Sequence, residues 1–224
     1  MSVEVAVLDM AGTTVRDDGL VEQAFTDAIG AVGVAEDSPG FTEMLAYVRA
    51  SMGESKIGVF THLLGGDTGR AATANEAFER AYADRVEQGG AVAVAGAEEA
   101  MARLRFAGIK VALTTGFSPA TQALIIDALG WRDRVDLWLA PADVGRGRPY
   151  PDLPLGALLR LGGSRVQALA VVGDTAADMR SGVSAGAGVV IGVLTGAHDE
   201  PTLRSAGATE VLSSVTDLPE SLGI

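Results

Sequence analysis

The residues of this chain with chemistry to offer stand at the ends of apolar runs. Asp9 closes "VEVAVLD", Thr115 closes "KVALTT" and Asp174 closes "ALAVVGD", with Asp178 one helical turn further on in "VVGDTAADM". Singly, an Asp or Thr in such a place only caps the next helix. Jointly they describe a site. Carboxylates held side by side repel unless a cation lies between them. Magnesium suits such a set, because it takes hard oxygen ligands and leaves positions open for water and phosphate oxygens. A second source of positive charge is "GRGRPYPD" (145–152), where Arg146 or Arg148 sits in a loop stiffened by Gly and Pro. A guanidinium presents a forked donor set that matches phosphate oxygens.

Such groups converge only if the strands that carry them lie side by side. Four runs, 3–9, 110–115, 168–174 and 188–194, are continuously apolar, as in strands buried on both faces, and two weaker ones occupy 135–140 and 209–214. Helical patterns alternate with them: 98–106 ends before Gly108, and another begins at the N-cap Ser118 with Pro119 in its first turn. The expected fold class is therefore α/β, a doubly wound, mainly parallel sheet, whose ligands bind beyond the carboxyl ends of the strands. Residues 16–91 break the alternation with four helical patterns, 20–32, 39–50, 55–64 and 73–88. The last is expected to open on a Thr73/Glu76 capping box and to bury Phe78, Tyr82 and Val86. The expected organisation is a core of residues 1–15 and 92–224 with an all-helical insertion at 16–91, hinged at Gly89-Gly90.

Composition narrows the partners. At 224 residues, 48% hydrophobic and 21% charged, the chain has ordinary globular usage. A formal net charge of −12 repels nucleic acid and anionic lipid, so an anionic substrate must be a small one met by focused positive charge. The absence of cysteine excludes disulfides, thiolate catalysis and zinc–thiolate sites. No signal-peptide pattern opens the sequence, and no apolar run approaches the ~20 residues of a membrane span, so a cytoplasmic location is expected. The glycines of "GAGVVIG" lead into a strand rather than out of one, the reverse of a dinucleotide loop. His62 and His198 read as isolated, solvent-facing residues.

The succession of Asp9 in "LDMAGTT", Thr115 in "LTTG", Arg148 in "GRPYPD" and the carboxylates of "GDTAADM" resembles the haloacid dehalogenase superfamily over essentially the whole chain. The pattern D-x-A-G-T-T, with Arg148 where Lys is usual, is similar to its phosphonatase branch. The resemblance implies a Rossmann-like core with a helical cap, Asp9 as a nucleophile toward phosphorus, and Thr115 and Arg148 holding the phosphoryl oxygens. It also implies Mg2+ on Asp9, the Ala11 backbone carbonyl, Asp174 and Asp178. Ala11, Gly12, Met52, Gly116 and Phe117 would touch substrate, and the chain would pair as a homodimer.

Phosphatases of that superfamily carry a second Asp two residues after the nucleophile, which protonates the departing ester oxygen. Here the position is Ala11, and an ester hydrolase without that acid forfeits roughly 10²–10⁴ in rate. A carbon leaving group needs no such proton if an imine accepts the bond electrons. Of the two lysines, Lys110 lies at the base of a strand, which leaves Lys56 in "SMGESKIGVF", similar to the phosphonatase motif M-G-x-x-K. Met52 and Lys56 are expected on one helical face, with Arg49 helping to lower the lysine's pKa. Three departures touch the aldehyde end: Val59 stands where the branch has His, Phe117 where it has Tyr, and its cap Cys has no counterpart. The expected activity is magnesium-dependent cleavage of the carbon–phosphorus bond of phosphonoacetaldehyde or a close 2-oxoalkylphosphonate. A phosphate-ester hydrolase of the same superfamily and a non-catalytic binding protein are the alternatives.

Overall fold

The computed structural model describes residues 2–224. Its centre is β1 (Val5–Asp9), buried along its whole length and flanked by two parallel neighbours, β2 (Lys110–Thr114) and β4 (Leu169–Gly173). Branched and aliphatic side chains on both faces fit this middle position, where no face meets water. With β3 (Leu137–Leu139), β5 (Val189–Val193) and β6 (Glu210–Leu212) the sheet reads β3-β2-β1-β4-β5-β6, every pair parallel. The register sets Asp9 beside Thr114 and Leu8 beside Val172, so the chain leaves β1, β2 and β4 at one edge. Asp9, Thr115 and Asp174 are thereby delivered together.

Between β1 and the next strand lie α1 (Leu20–Ala31), α2 (Pro39–Ala50), α3 (Lys56–Leu63), α4 (Thr68–Arg85) and α5 (Ala97–Phe106). The first four all fall within residues 16–91, hereafter the insertion, and the path back to the sheet passes through a wide turn at Val86–Gly90 in which Gly89 takes φ 88°. The remaining helices are α6 (Pro119–Ala128), α7 (Pro141–Val144), α8 (Asp152–Arg160), α9 (Ala176–Ala185), α10 (Glu200–Ser205) and α11 (Leu218–Ser221). None of the described helices is long and apolar enough to cross a membrane.

Two local expectations are corrected. α4 begins five residues before Thr73, at an Asp67 N-cap whose carboxylate accepts the Arg70 N–H at 3.0 Å. The Thr73 hydroxyl instead donates to the Gly69 carbonyl inside the helix. Phe78 and Tyr82 on its inner face, and Val86 in the turn that follows, are nevertheless buried as expected. The second correction concerns Met52 and Lys56, which do not share a continuous helix. The chain turns at Gly53 with φ 84°, and a Cβ there would lie 2.4 Å from the Thr175 hydroxyl, so close contact with the core selects glycine and breaks the helix.

A file of aromatic rings joins the insertion to the core. Phe25 stacks on Phe60 at 5.8 Å, Phe60 meets Phe78 at 6.0 Å, and Phe78 reaches Phe117, in the loop after β2, at 6.0 Å. Tyr82 lies 4.4 Å from Phe117. At about 0.5–1.5 kcal/mol per pair beyond area burial, these contacts fix the insertion above the sheet edge.

Candidate active site

Asp9, Asp174 and Asp178 are buried with carboxylate oxygens within 4.8 Å of one another. Asp174 is held by the Thr13 hydroxyl at 3.0 Å and the Ala197 N–H at 2.8 Å, and glycines clear its surroundings: a Cβ on Gly12 or Gly196 would strike its carboxylate. Asp178 closes a capping box with Thr175 at the start of α9 and turns its other oxygen to Arg148. Burial raises the pKa of Asp9 and holds Asp174 well above the carboxylate range, and neighbouring carboxylates add to both shifts. Three buried carboxylates facing a single guanidinium leave an excess of negative charge. That excess and the all-oxygen donor set fit a hard divalent cation.

Arg148 is the buried positive centre, with its Nη1 2.6 Å from Asp9 and also paired with Asp178. Burial opposes its charge, but Asp178 and Asp9 outweigh burial and raise its pKa, so it stays protonated. Its Nε and Nη2 are buried without a hydrogen-bond partner. Orphaned guanidinium donors are costly, and oxygens of a phosphoryl group would satisfy them. Arg146, the other candidate, is exposed, paired with Asp152 at 2.7 Å and stacked on Tyr150. Thr115 is buried one residue beyond β2, where its hydroxyl accepts the Phe117 N–H at 3.2 Å.

Above these groups a small pocket of ≈ 30 Å³ is walled by Asp9, Ala11, Thr115, Met52, Phe117 and Lys56. Gly116 lines it too, pressed so close to the insertion that a Cβ would lie 2.5 Å from the Glu54 carbonyl. Lys56 is 9% exposed, and its Nζ lies 5.6 Å from the centre of the Phe117 ring and 5.9 Å from that of Phe78. No ion pair joins it to any described carboxylate within 4.0 Å. Burial lowers its pKa, opposed by Asp17 and assisted by Arg148. Arg49, expected to assist, is instead an exposed residue bound to Glu22 at 2.8 Å. Val59 faces a small apolar hollow with Phe25, Val48, Phe60 and Phe78.

Gly12 lies beside the pocket rather than on its wall. Its N–H is bound to the Val15 carbonyl at 2.7 Å and its carbonyl accepts the Thr195 hydroxyl at 2.7 Å. Three residues went unremarked as site-forming in the sequence. Asp17 lines the pocket and a wider mouth of ≈ 380 Å³ that also touches Glu22, Arg49 and Thr195. Glu79 of α4 reaches the start of α6, accepting the Ser118 N–H at 3.1 Å and hydroxyl at 2.7 Å. His198, expected in solvent, is half-buried: Nδ1 accepts the Ala176 N–H at 2.8 Å and Nε2 faces the Arg49 carbonyl at 3.3 Å. His62 is exposed and stacks on Tyr47 at 4.2 Å. Asp17 is one of two adjacent acids in the polar stretch "RDDG" after Val15, and nothing there separates it from Asp18. No local pattern marks the other two, whose partners are distant in sequence.

Residues 3–186 match the family model of haloacid dehalogenase-like hydrolases. A phosphonoacetaldehyde hydrolase of Bacillus cereus (strain B4264) is 30% identical over 229 residues, an alignment covering 96% of this chain and 86% of that protein. Among solved structures, a phosphonoacetaldehyde hydrolase-like protein from Oleispira antarctica is similar with TM-score 0.85 and 25% identity, covering 100% of this chain and 92% of that one. A hydrolase from Pseudomonas syringae shares the fold with TM-score 0.83 at 24% identity, covering 98% of each chain.

Proposed function

The chain belongs to the haloacid dehalogenase-like hydrolases, and from that premise we propose that it cleaves the carbon–phosphorus bond of phosphonoacetaldehyde or a close 2-oxoalkylphosphonate. The observation that carries this reading is Lys56: a buried amine without an ion-pair partner among the described residues, in the same pocket as Asp9, where Ala11 stands in place of an acid. A lysine whose pKa is lowered by burial supplies the neutral amine that attacks an aldehyde.

In this proposal the Lys56 Nζ adds to the carbonyl carbon and water departs, giving a protonated imine. The Asp9 carboxylate then forms a bond to phosphorus as the carbon–phosphorus bond breaks, and its electron pair passes into the imine to leave a neutral enamine. Proton uptake at carbon and hydrolysis return acetaldehyde and free Lys56. Water cleaves the aspartyl-phosphate to release phosphate. Arg148, through its two unpartnered nitrogens, and Thr115 hold the phosphoryl oxygens. Asp9, Asp174, Asp178 and the Ala11 carbonyl would hold Mg2+, whose charge offsets the phosphoryl group in an otherwise acidic protein. Residues 16–91 act as the cap that carries Met52 and Lys56 over the core.

The test is product stoichiometry. Acetaldehyde and phosphate are expected in equal amounts from phosphonoacetaldehyde with Mg2+, together with much weaker hydrolysis of simple phosphate monoesters. Efficient monoester hydrolysis without acetaldehyde release from the phosphonate would replace this reading with that of a phosphatase.

A further inference from the structure

Phe78 and Glu79 are consecutive on α4, and Phe117 and Ser118 are consecutive in the loop between β2 and α6. The two pairs face each other. Phe78 and Phe117 stack at 6.0 Å with the Lys56 Nζ near both rings. Immediately beside them, the Glu79 carboxylate accepts the N–H and hydroxyl of Ser118 and the hydroxyl of Thr121. A carboxylate placed on the first turn of a helix also meets that helix's unpaired N–H groups and the positive end of its dipole. Within the same loop, the Gly116 carbonyl faces the Lys56 N–H at 3.4 Å.

The loop thus carries Thr115 into the phosphoryl end of the pocket and Phe117 into the lysine end, and the insertion grips it at Gly116 and at Ser118. We propose that Glu79 is a positioning residue: by clasping the start of α6 it sets the distance between Lys56 on the insertion and Thr115 on the core. One bound phosphonate can then be held at its phosphoryl group and its carbonyl carbon together. This inference rests on the imine reading above. Its consequence is specific, because a substrate spanning both ends needs the clasp, whereas an aldehyde that meets Lys56 alone does not. A hollow of ≈ 180 Å³ touches Lys56 on this side, and Glu79 and Ser118 belong to its wall.

The experiment compares wild type, Glu79→Ala and Glu79→Gln in two assays, with thermal unfolding as a check on folding. The first is turnover of phosphonoacetaldehyde; the second is borohydride trapping of acetaldehyde, which has no phosphoryl group. Glu79→Ala is expected to lose on the order of 10- to 10²-fold in kcat/KM for the phosphonate, the scale set by a small misplacement of reacting groups, while trapping acetaldehyde at least as well as wild type, since the lost carboxylate had favoured the protonated form of Lys56. Glu79→Gln, which keeps an acceptor oxygen for Ser118, is expected to recover most of the loss. Unchanged turnover in Glu79→Ala overturns the inference, and so does a parallel loss of turnover and trapping, which would make Glu79 a support for the fold or for Lys56 alone. If wild type itself forms no adduct with either aldehyde, the imine reading has failed instead.

Discussion

The two ends of the pocket are built on opposite principles. At the sheet edge every carboxylate is engaged: Asp174 by Thr13 and Ala197, Asp178 by Thr175 and Arg148, Asp9 by Arg148. Beneath the insertion, Lys56 has aromatic rings for neighbours and Val59 lies among apolar side chains. On the proposed reading the polar end holds and neutralises a phosphoryl group, a task common to many reactions. The apolar end buries an amine that has no ion pair, where burial outweighs the hold of Asp17 on its proton, and in that difference the proposed chemistry resides.

The largest expected effect breaks the polar end. Asp9→Asn removes the proposed nucleophile, so turnover should fall on the order of 10⁴-fold or more. The fold should survive, because a buried charge raised in pKa by burial is replaced by a neutral amide. Steady-state assay with parallel unfolding curves checks both halves. Phosphate release near the wild-type rate would remove Asp9 from the mechanism.

A smaller effect should come from the joint between the ends. Gly53→Ala forces a side chain onto φ 84° and against Thr175. A loss of about 1–3 kcal/mol of stability is expected, with a drop in kcat/KM as Met52 and Lys56 shift. The contrast is Gly58→Ala, inside α3, where a Cβ meets nothing within 4 Å; a gain of about 0.5–1 kcal/mol is expected there. Denaturant melts of the pair test whether strain belongs to the joint alone.

The smallest effect concerns pH in metal-free protein. Asp9, pushed up to about 7 by burial, and Asp174, also raised, hold protons when folded that they release when unfolded. Between about pH 4 and pH 7 the unfolded chain therefore binds fewer protons, and stability should fall as pH rises. Surface carboxylates held low by arginine partners, such as Glu22 and Asp127, act in the opposite sense around their ordinary values of 4.5 and 3.8, so the fall is to be read above about pH 5.5. Added Mg2+ should raise Tm more at the upper end of the range than at the lower. A metal-free Tm that climbs with pH, or an equal Mg2+ effect throughout, would contradict this.

The sheet was legible because strands buried on both faces are written as unbroken apolar runs, and the ends of three of those runs named Asp9, Thr115 and Asp174. Asp178 and Arg148 followed from helical spacing and from the resemblance. The three-residue strands β3 and β6, partly exposed, left only weak runs. The break at Gly53 was hidden because its cause is Thr175, far along the chain. Glu79 and His198 were invisible for the same reason: on their own elements they are ordinary polar residues, and their partners, Ser118 for Glu79 and Ala176 and Arg49 for His198, lie far along the chain.

Covalent trapping at Lys56 tests the central claim most directly. Wild-type protein treated with phosphonoacetaldehyde and borohydride, then digested and mapped by mass, should carry a reduced adduct on the peptide containing Lys56, and Lys56→Arg should carry none and lose carbon–phosphorus cleavage. Full release of acetaldehyde and phosphate with no adduct, or cleavage by Lys56→Arg at a rate comparable to wild type, would contradict the account.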